Sequence, residues 1–126
     1  LQAYKITVVR DLAEIERVQK SFFGRYKVGA QVLLIFWANP KESAGQYGER
    51  GAELYAIQDA TIAATYAQLA VTDVGLATVW VGAFDLKSLQ DIFQKSDLVP
   101  VVVFPIGYAA EIPEKRPRKE LEEIIL

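Results

Sequence analysis

Polar and apolar positions roughly alternate through Tyr4-Lys5-Ile6-Thr7-Val8-Val9-Arg10, and the β-branched residues among them predict a strand. Asp11 then precedes an amphipathic stretch, and Glu14 three residues later completes a capping-box pattern. Leu12, Ile15, Val18 and Phe22 give that helix one apolar face, with Gly24 as its stop. Val32 to Ala38 is an unbroken apolar run, the pattern of a strand covered on both faces. Asn39-Pro40 opens a polar stretch through Ser43, Gly45 and Gly48 that reads as a loop.

A long helix is predicted from about Glu49 to Val74, closed by Gly75. Ala56, Ala60, Ala63, Ala67 and Ala70 recur at helical spacing and share one stripe. So little side-chain volume lets another backbone come close. The stripe therefore packs against the domain's own sheet or against a second copy in a dimer. With few charges between Leu54 and Thr72, the helix is expected to be buried.

After Gly75 the pattern turns to a hydrophobic strand, Trp80-Val81-Gly82-Ala83-Phe84-Asp85. A glycine in a buried strand leaves backbone bare, so a flat ligand has room to lie against it. Asp85 caps a short helix carrying Leu86, Leu89, Ile92 and Phe93 on its inner face. Val99 to Phe104 is a second buried strand ended by Pro105, and Pro100 must lie near its start or on an edge. Ile112 to Lys119 is extended and proline-punctuated, and Leu121 to Leu126 is an apolar tail in need of a docking surface. Apolar strands separated by helices make a single layered domain, α+β or α/β, over residues 1–126.

Composition narrows the chemistry. The 126 residues include no His, Cys or Met. There is thus no thiolate nucleophile, no Ser-His-Asp triad and no nitrogen or sulfur zinc site. An enzyme built from this chain works through carboxylates, Tyr, Lys or a borrowed cofactor. Absence of disulfides agrees with the cytoplasm. A net charge of −2 argues against nucleic acid as a partner, despite the basic run Lys115-Arg116-Pro117-Arg118-Lys119. At 52% hydrophobic residues, the chain has apolar surface to spare for a partner or cofactor.

That basic run has a geometry of its own. Pro117 pushes Arg116 into extended backbone, where residues two apart project to one side about 6 to 7 Å from each other. Arg116 and Arg118 then form a two-pronged clamp suited to a phosphate monoester.

Residues 55–85, the run Val99-Pro100-Val101-Val102-Val103-Phe104-Pro105-Ile106-Gly107-Tyr108 and the stretch Arg116-Pro117-Arg118-Lys119-Glu120-Leu121-Glu122-Glu123-Ile124-Ile125 together resemble the flavin-dependent nitroreductase family. Leu1-Gln2-Ala3-Tyr4-Lys5-Ile6 is similar to that family's Asn-x-Gln-Pro-Trp-x-Phe segment, entered after its Asn and with Ala3 and Tyr4 replacing Pro and Trp. The resemblance implies an N-terminal truncation that removes an Arg/Ser-rich leader. It implies an α+β sandwich, a central mainly antiparallel or mixed sheet flanked by helices. It further implies a homodimer formed through the long helix, with FMN at the interface. Arg116 and Arg118 are expected on the FMN phosphate, the backbone of Val81, Gly82 and Ala83 beside the ring, and Gln2 on the ring or ribityl chain. The implied activity is ping-pong hydride transfer from NAD(P)H to nitroaromatic or quinone acceptors, with no catalytic side chain and no metal. Phe36, Trp37, Tyr47 and Phe84 are the aromatic candidates for stacking on substrate, or else core. The competing expectation is a non-catalytic relative that keeps the dimer scaffold but binds another ligand or partner.

Overall fold

The structure, a computed structural model, describes residues 1–24 and 29–126. Three antiparallel strands form its sheet in the order β1 (Tyr4–Val9), β2 (Val32–Ala38), β3 (Val99–Ile106). Tyr4 pairs with Ala38 and Val9 with Leu33. Across the other side Val32 pairs with Ile106 and Phe36 with Val102. The register then slips by one residue, so that Trp37 meets Pro100, the position that has no N–H for the ladder. As expected from Pro100, that residue lies near the start of β3, and among the described residues β3 has one strand partner.

Helices cover both faces, so the chain is an α+β sandwich. On one face α1 (Leu12–Lys20) and α4 (Leu86–Phe93) bury Ile15, Val18 and Leu89 against Val9, Leu33, Ile35, Trp37 and Val103. Both helices start as the sequence indicates. The Asp11 carboxylate accepts the Glu14 N–H at 2.9 Å, and that of Asp85 accepts the Ser88 N–H at 2.6 Å. The interaction with Ser88 holds the Asp85 carboxyl below its ordinary range. On the other face α3 (Ala56–Asp73) lies over Phe36, Ala38, Val102 and Phe104.

The alanine stripe accounts for that second contact. Ala56 and Ala60 are fully buried against Ala38, while Ala63 and Ala67 pack beside Phe36 and Phe104. Methyl-sized side chains let the helix settle close to the sheet. Four of the five alanines thus serve the domain's own core, whereas Ala70 is exposed and Ala64, outside the predicted stripe, is buried instead; the expectation of a buried helix is corrected. Its opposite side leaves Ile62, Tyr66 and Leu69 at 56%, 71% and 63% exposure.

The predicted polar loop after Asn39 is instead a helix, α2 (Pro40–Arg50), bent at Gly48, where φ is 60° and ψ −147°. Asn39 caps it, its side chain accepting the Glu42 N–H at 3.3 Å and donating to the Glu42 carboxylate at 2.8 Å. One π-helical turn, Gly51–Tyr55, joins it to α3. Gly51 is buried against the turn before it: a Cβ there would lie 2.5 Å from the Ser43 carbonyl oxygen. Backbone cannot yield as a side-chain tip does. Gly51→Ala is therefore expected to destabilise the fold by about 1–3 kcal/mol, readable as a lower midpoint in urea or heat.

Residues 77–81 run beside β3 without forming a full strand, which corrects the expected Trp80 strand. Ala77 bridges Gly107, and Val81 bridges Val103 through N–H···O bonds of 3.1 and 3.0 Å. Midway between those bridges the register sets Val79 opposite Pro105, which has no N–H to give. The ladder is interrupted there.

Candidate functional site

The stretch expected beside a flat ligand is built by those bridges. Val81 faces inward, 1% exposed, and its amide is spent on Val103. Gly82 comes next and is exposed, not buried as the sequence suggested. Only the Trp80 indole edge would touch a Cβ at Gly82, at 3.6 and 3.7 Å, so its outer side is open. The N–H groups of Gly82 and Ala83 make no hydrogen bond among the described residues. Phe84 turns back to pack on the α1–α4 core, and the Asp85 N–H donates to the Ser21 carbonyl at 2.8 Å. The shelf is thus anchored on both sides: at Val81 by β3, and at Asp85 by both the α1 terminus and its own cap on α4. Trp80 lies against Phe104 with ring centroids 5.3 Å apart, fixing the face on which Gly82 opens.

Gln2 is placed at the far edge of the sheet. It lines a cleft of about 430 Å³ between β1 and α3, with Tyr4, Ile6, Asp59, Ile62 and Tyr66. Three inter-strand spacings, about 14 Å, separate that edge from the residue 77–81 strip.

Arg116 and Arg118 lie in the exposed stretch 108–126. Arg118 Nη1 donates to the Arg116 carbonyl at 3.3 Å, and among the described residues no carboxylate pairs with either guanidinium. Both charges are free for an anion, but no described contact joins them to Gly82 or Gln2. The apolar tail is likewise exposed, with Leu121, Ile124 and Ile125 at 61–67%.

The aromatic candidates divide. Phe36 and Trp37 are fully buried, Phe36 edge-on to Phe104 at 5.4 Å and Trp37 donating its indole N–H to Thr7 Oγ1 at 2.9 Å. Phe84 belongs to the core as well. Tyr47 alone of the four presents a ring to solvent, edge-on to Tyr55, whose hydroxyl accepts the Arg50 Nε–H at 3.0 Å.

The fold is an antiparallel sheet between helical layers, with an open glycine shelf at one edge and an exposed arginine pair in the tail. The chain belongs to the nitroreductase family, whose model matches residues 1–108. Among solved structures, NfrA1 nitroreductase of Bacillus subtilis is similar with a TM-score of 0.82 and 21% identity, over 100% of this chain and 57% of that one. The hypothetical oxidoreductase YcnD of Bacillus subtilis gives 0.85 and 22%, over 98% and 55%. A candidate NAD(P)H:FMN oxidoreductase of Staphylococcus epidermidis gives 0.78 and 20%, over 97% and 74%. The chain thus spans little more than half the length of NfrA1 and YcnD. At these identities the likeness is one of fold. No curated protein matches the chain.

Does the donor set fit FMN? A flat ring needs bare backbone with unspent donors, which Gly82 and Ala83 offer. A phosphate needs unpaired cations, which Arg116 and Arg118 offer. The residues present fit the group.

Proposed function

We propose that this chain is the core of an FMN-dependent oxidoreductase that passes hydride from NAD(P)H to nitroaromatic or quinone-type acceptors by a ping-pong mechanism. It works as a homodimer in the cytoplasm. The observation that carries the reading is the open shelf at Gly82–Ala83 with its two unspent amides.

FMN, when bound, would supply the hydride-transfer chemistry. The chain's own residues bind and orient. The Gly82 and Ala83 N–H groups are preorganised donors for negative charge on the ring, held from both sides so that little reorganisation is needed. Arg116 and Arg118 hold the phosphate by charge-assisted hydrogen bonds. Gln2 contacts the ring or ribityl chain. With Val81's amide committed to Val103, Val81 contributes by anchoring the shelf. Water can supply the protons, so no His or Cys of this chain is needed.

Support for a dimer comes from the outer face of α3. Ile62, Tyr66 and Leu69, at i, i+4 and i+7, form an exposed apolar stripe on a helix without Lys or Arg. Ile62→Glu with Leu69→Glu is expected to convert the dimer to monomer in sedimentation at micromolar concentration, because two carboxylates would have to be desolvated at the contact. An unchanged dimer would place the interface elsewhere.

The activity has a direct test. Full-length protein given FMN should retain flavin absorbance through gel filtration and oxidise NADH or NADPH only when a nitroaromatic or quinone is present. Colourless protein with no affinity for FMN would overturn the proposal.

No helix among the described residues is long and apolar enough to cross a membrane.

A further inference from the structure

Asp59 is the one charged residue between Leu54 and Thr72. A lone carboxylate in an apolar helix calls for a partner, and its partner is 56 residues away. Asp59 Oδ2 accepts the backbone N–H of Ala3 at 2.9 Å. Ala3 is fully buried, and its own carbonyl accepts the Asn39 N–H at 2.8 Å. Its amide and carbonyl are therefore gripped from different elements, α3 on one side and the end of β2 on the other.

The consequence falls on Gln2. Its φ of 58° lies in the left-handed region, which a residue with a Cβ avoids unless its surroundings impose it. Its carbonyl accepts the Tyr4 N–H at 2.7 Å, closing a tight three-residue turn. Gln2 and Asp59 line the same cleft between β1 and α3. With the Ala3 amide and carbonyl both held, the Gln2–Ala3 peptide plane and the Gln2 Cα are fixed in place.

We propose that Asp59 is a positioning residue: by holding the Ala3 amide it fixes the Gln2–Ala3 peptide plane, and with it the Gln2 Cα, and so presents the Gln2 carboxamide to the flavin. This rests on the FMN reading above. Asp59 Oδ2 also lies 3.9 Å from the Leu1 ammonium, but the Ala3 N–H needs only an acceptor, so the positioning role is separable from that ion pair.

A double-mutant cycle on the full chain, read by FMN titration, tests it. D59A and Q2A should each weaken FMN binding about tenfold, and the double variant should bind no more weakly than Q2A alone. D59N, whose side-chain oxygen still accepts the Ala3 N–H, should stay within about threefold of wild type. Amide exchange at Ala3 should remain slow in D59N and become fast in D59A. D59S, too short to reach, replaces D59A if the latter does not fold. Additive losses in the double variant, or unchanged affinity in D59A, would overturn the inference while leaving the FMN reading intact. Wild-type protein that binds no FMN would overturn both.

Discussion

Replacing Arg116 and Arg118 together with alanine should weaken FMN binding by about two orders of magnitude. Each guanidinium offers hydrogen bonds to a phosphate, and bonds to charged groups are worth roughly 1.5–3 kcal/mol apiece. Losing two such partners costs about 3 kcal/mol or more, hence the hundredfold. Stability should hardly change, since both residues are exposed and the one hydrogen bond from Arg118 to the Arg116 carbonyl is local. The double lysine variant separates charge from shape. It keeps both charges but loses the planar fork, so its affinity should fall between wild type and the alanine pair. Isothermal titration with FMN and, in parallel, with riboflavin gives the sharper reading. The alanine pair should lose discrimination between the two, because riboflavin has no phosphate to hold. If FMN affinity stayed at the wild-type level, the arginine pair would have no part in the site.

Gly82→Val should abolish flavin binding without unfolding the protein. The contrast with Gly51 explains why. At Gly51 a Cβ would run into the Ser43 backbone at 2.5 Å, whereas at Gly82 the nearest atoms are the Trp80 indole edge at 3.6 and 3.7 Å. That is ordinary van der Waals contact, and Gly82 is exposed and not among the positive-φ glycines, so a side chain can be accepted there. The added isopropyl group would stand where the ring must lie. An affinity loss of about a hundredfold or more is expected, with the thermal midpoint close to wild type. The pair of measurements matters: a Gly82→Val protein that binds FMN normally would show that the shelf faces something else.

Much of the architecture was legible in the chain. The alternation through Tyr4–Arg10 and the apolar runs at Val32–Ala38 and Val99–Phe104 became the three strands, the last continuing through Pro105 to Ile106. Asp11 and Asp85 became the caps they resemble, because a cap is a local interaction between residues three apart. The nitroreductase resemblance also held as family and fold.

What was not legible depended on distant partners or on conflicting local signals. At Asn39-Pro40 the polar residues with Gly45 and Gly48 read as a loop, yet Asn39 with Glu42 three residues on caps a helix. The helix forms nonetheless, because the cap supplies its first turn and the bend at Gly48 is absorbed by a glycine at positive φ. The Trp80 segment has the composition of a strand, yet its ladder is broken by Pro105, a residue 25 positions away. Gly82 was identifiable as a bare position, but which amides remain unspent was not. That follows from Val81 meeting Val103, a register no local pattern states. The alanine stripe was equally compatible with sheet and partner, and tertiary packing assigned it to the sheet. Asp59 left a faint trace as an isolated charge in an apolar helix; its bond to Ala3 spans 56 residues and is invisible to periodicity.

The clamp and the shelf are proposed to hold opposite ends of one FMN, and a crystal structure of the full-length protein with FMN tests that most directly. The account predicts the phosphate within hydrogen-bonding distance of both the Arg116 and Arg118 side chains and the ring edge within reach of the Gly82 or Ala83 N–H, whether one copy or two contribute them. A bound FMN whose phosphate sits away from both arginines, or whose ring lies off the Gly82 backbone, would contradict it.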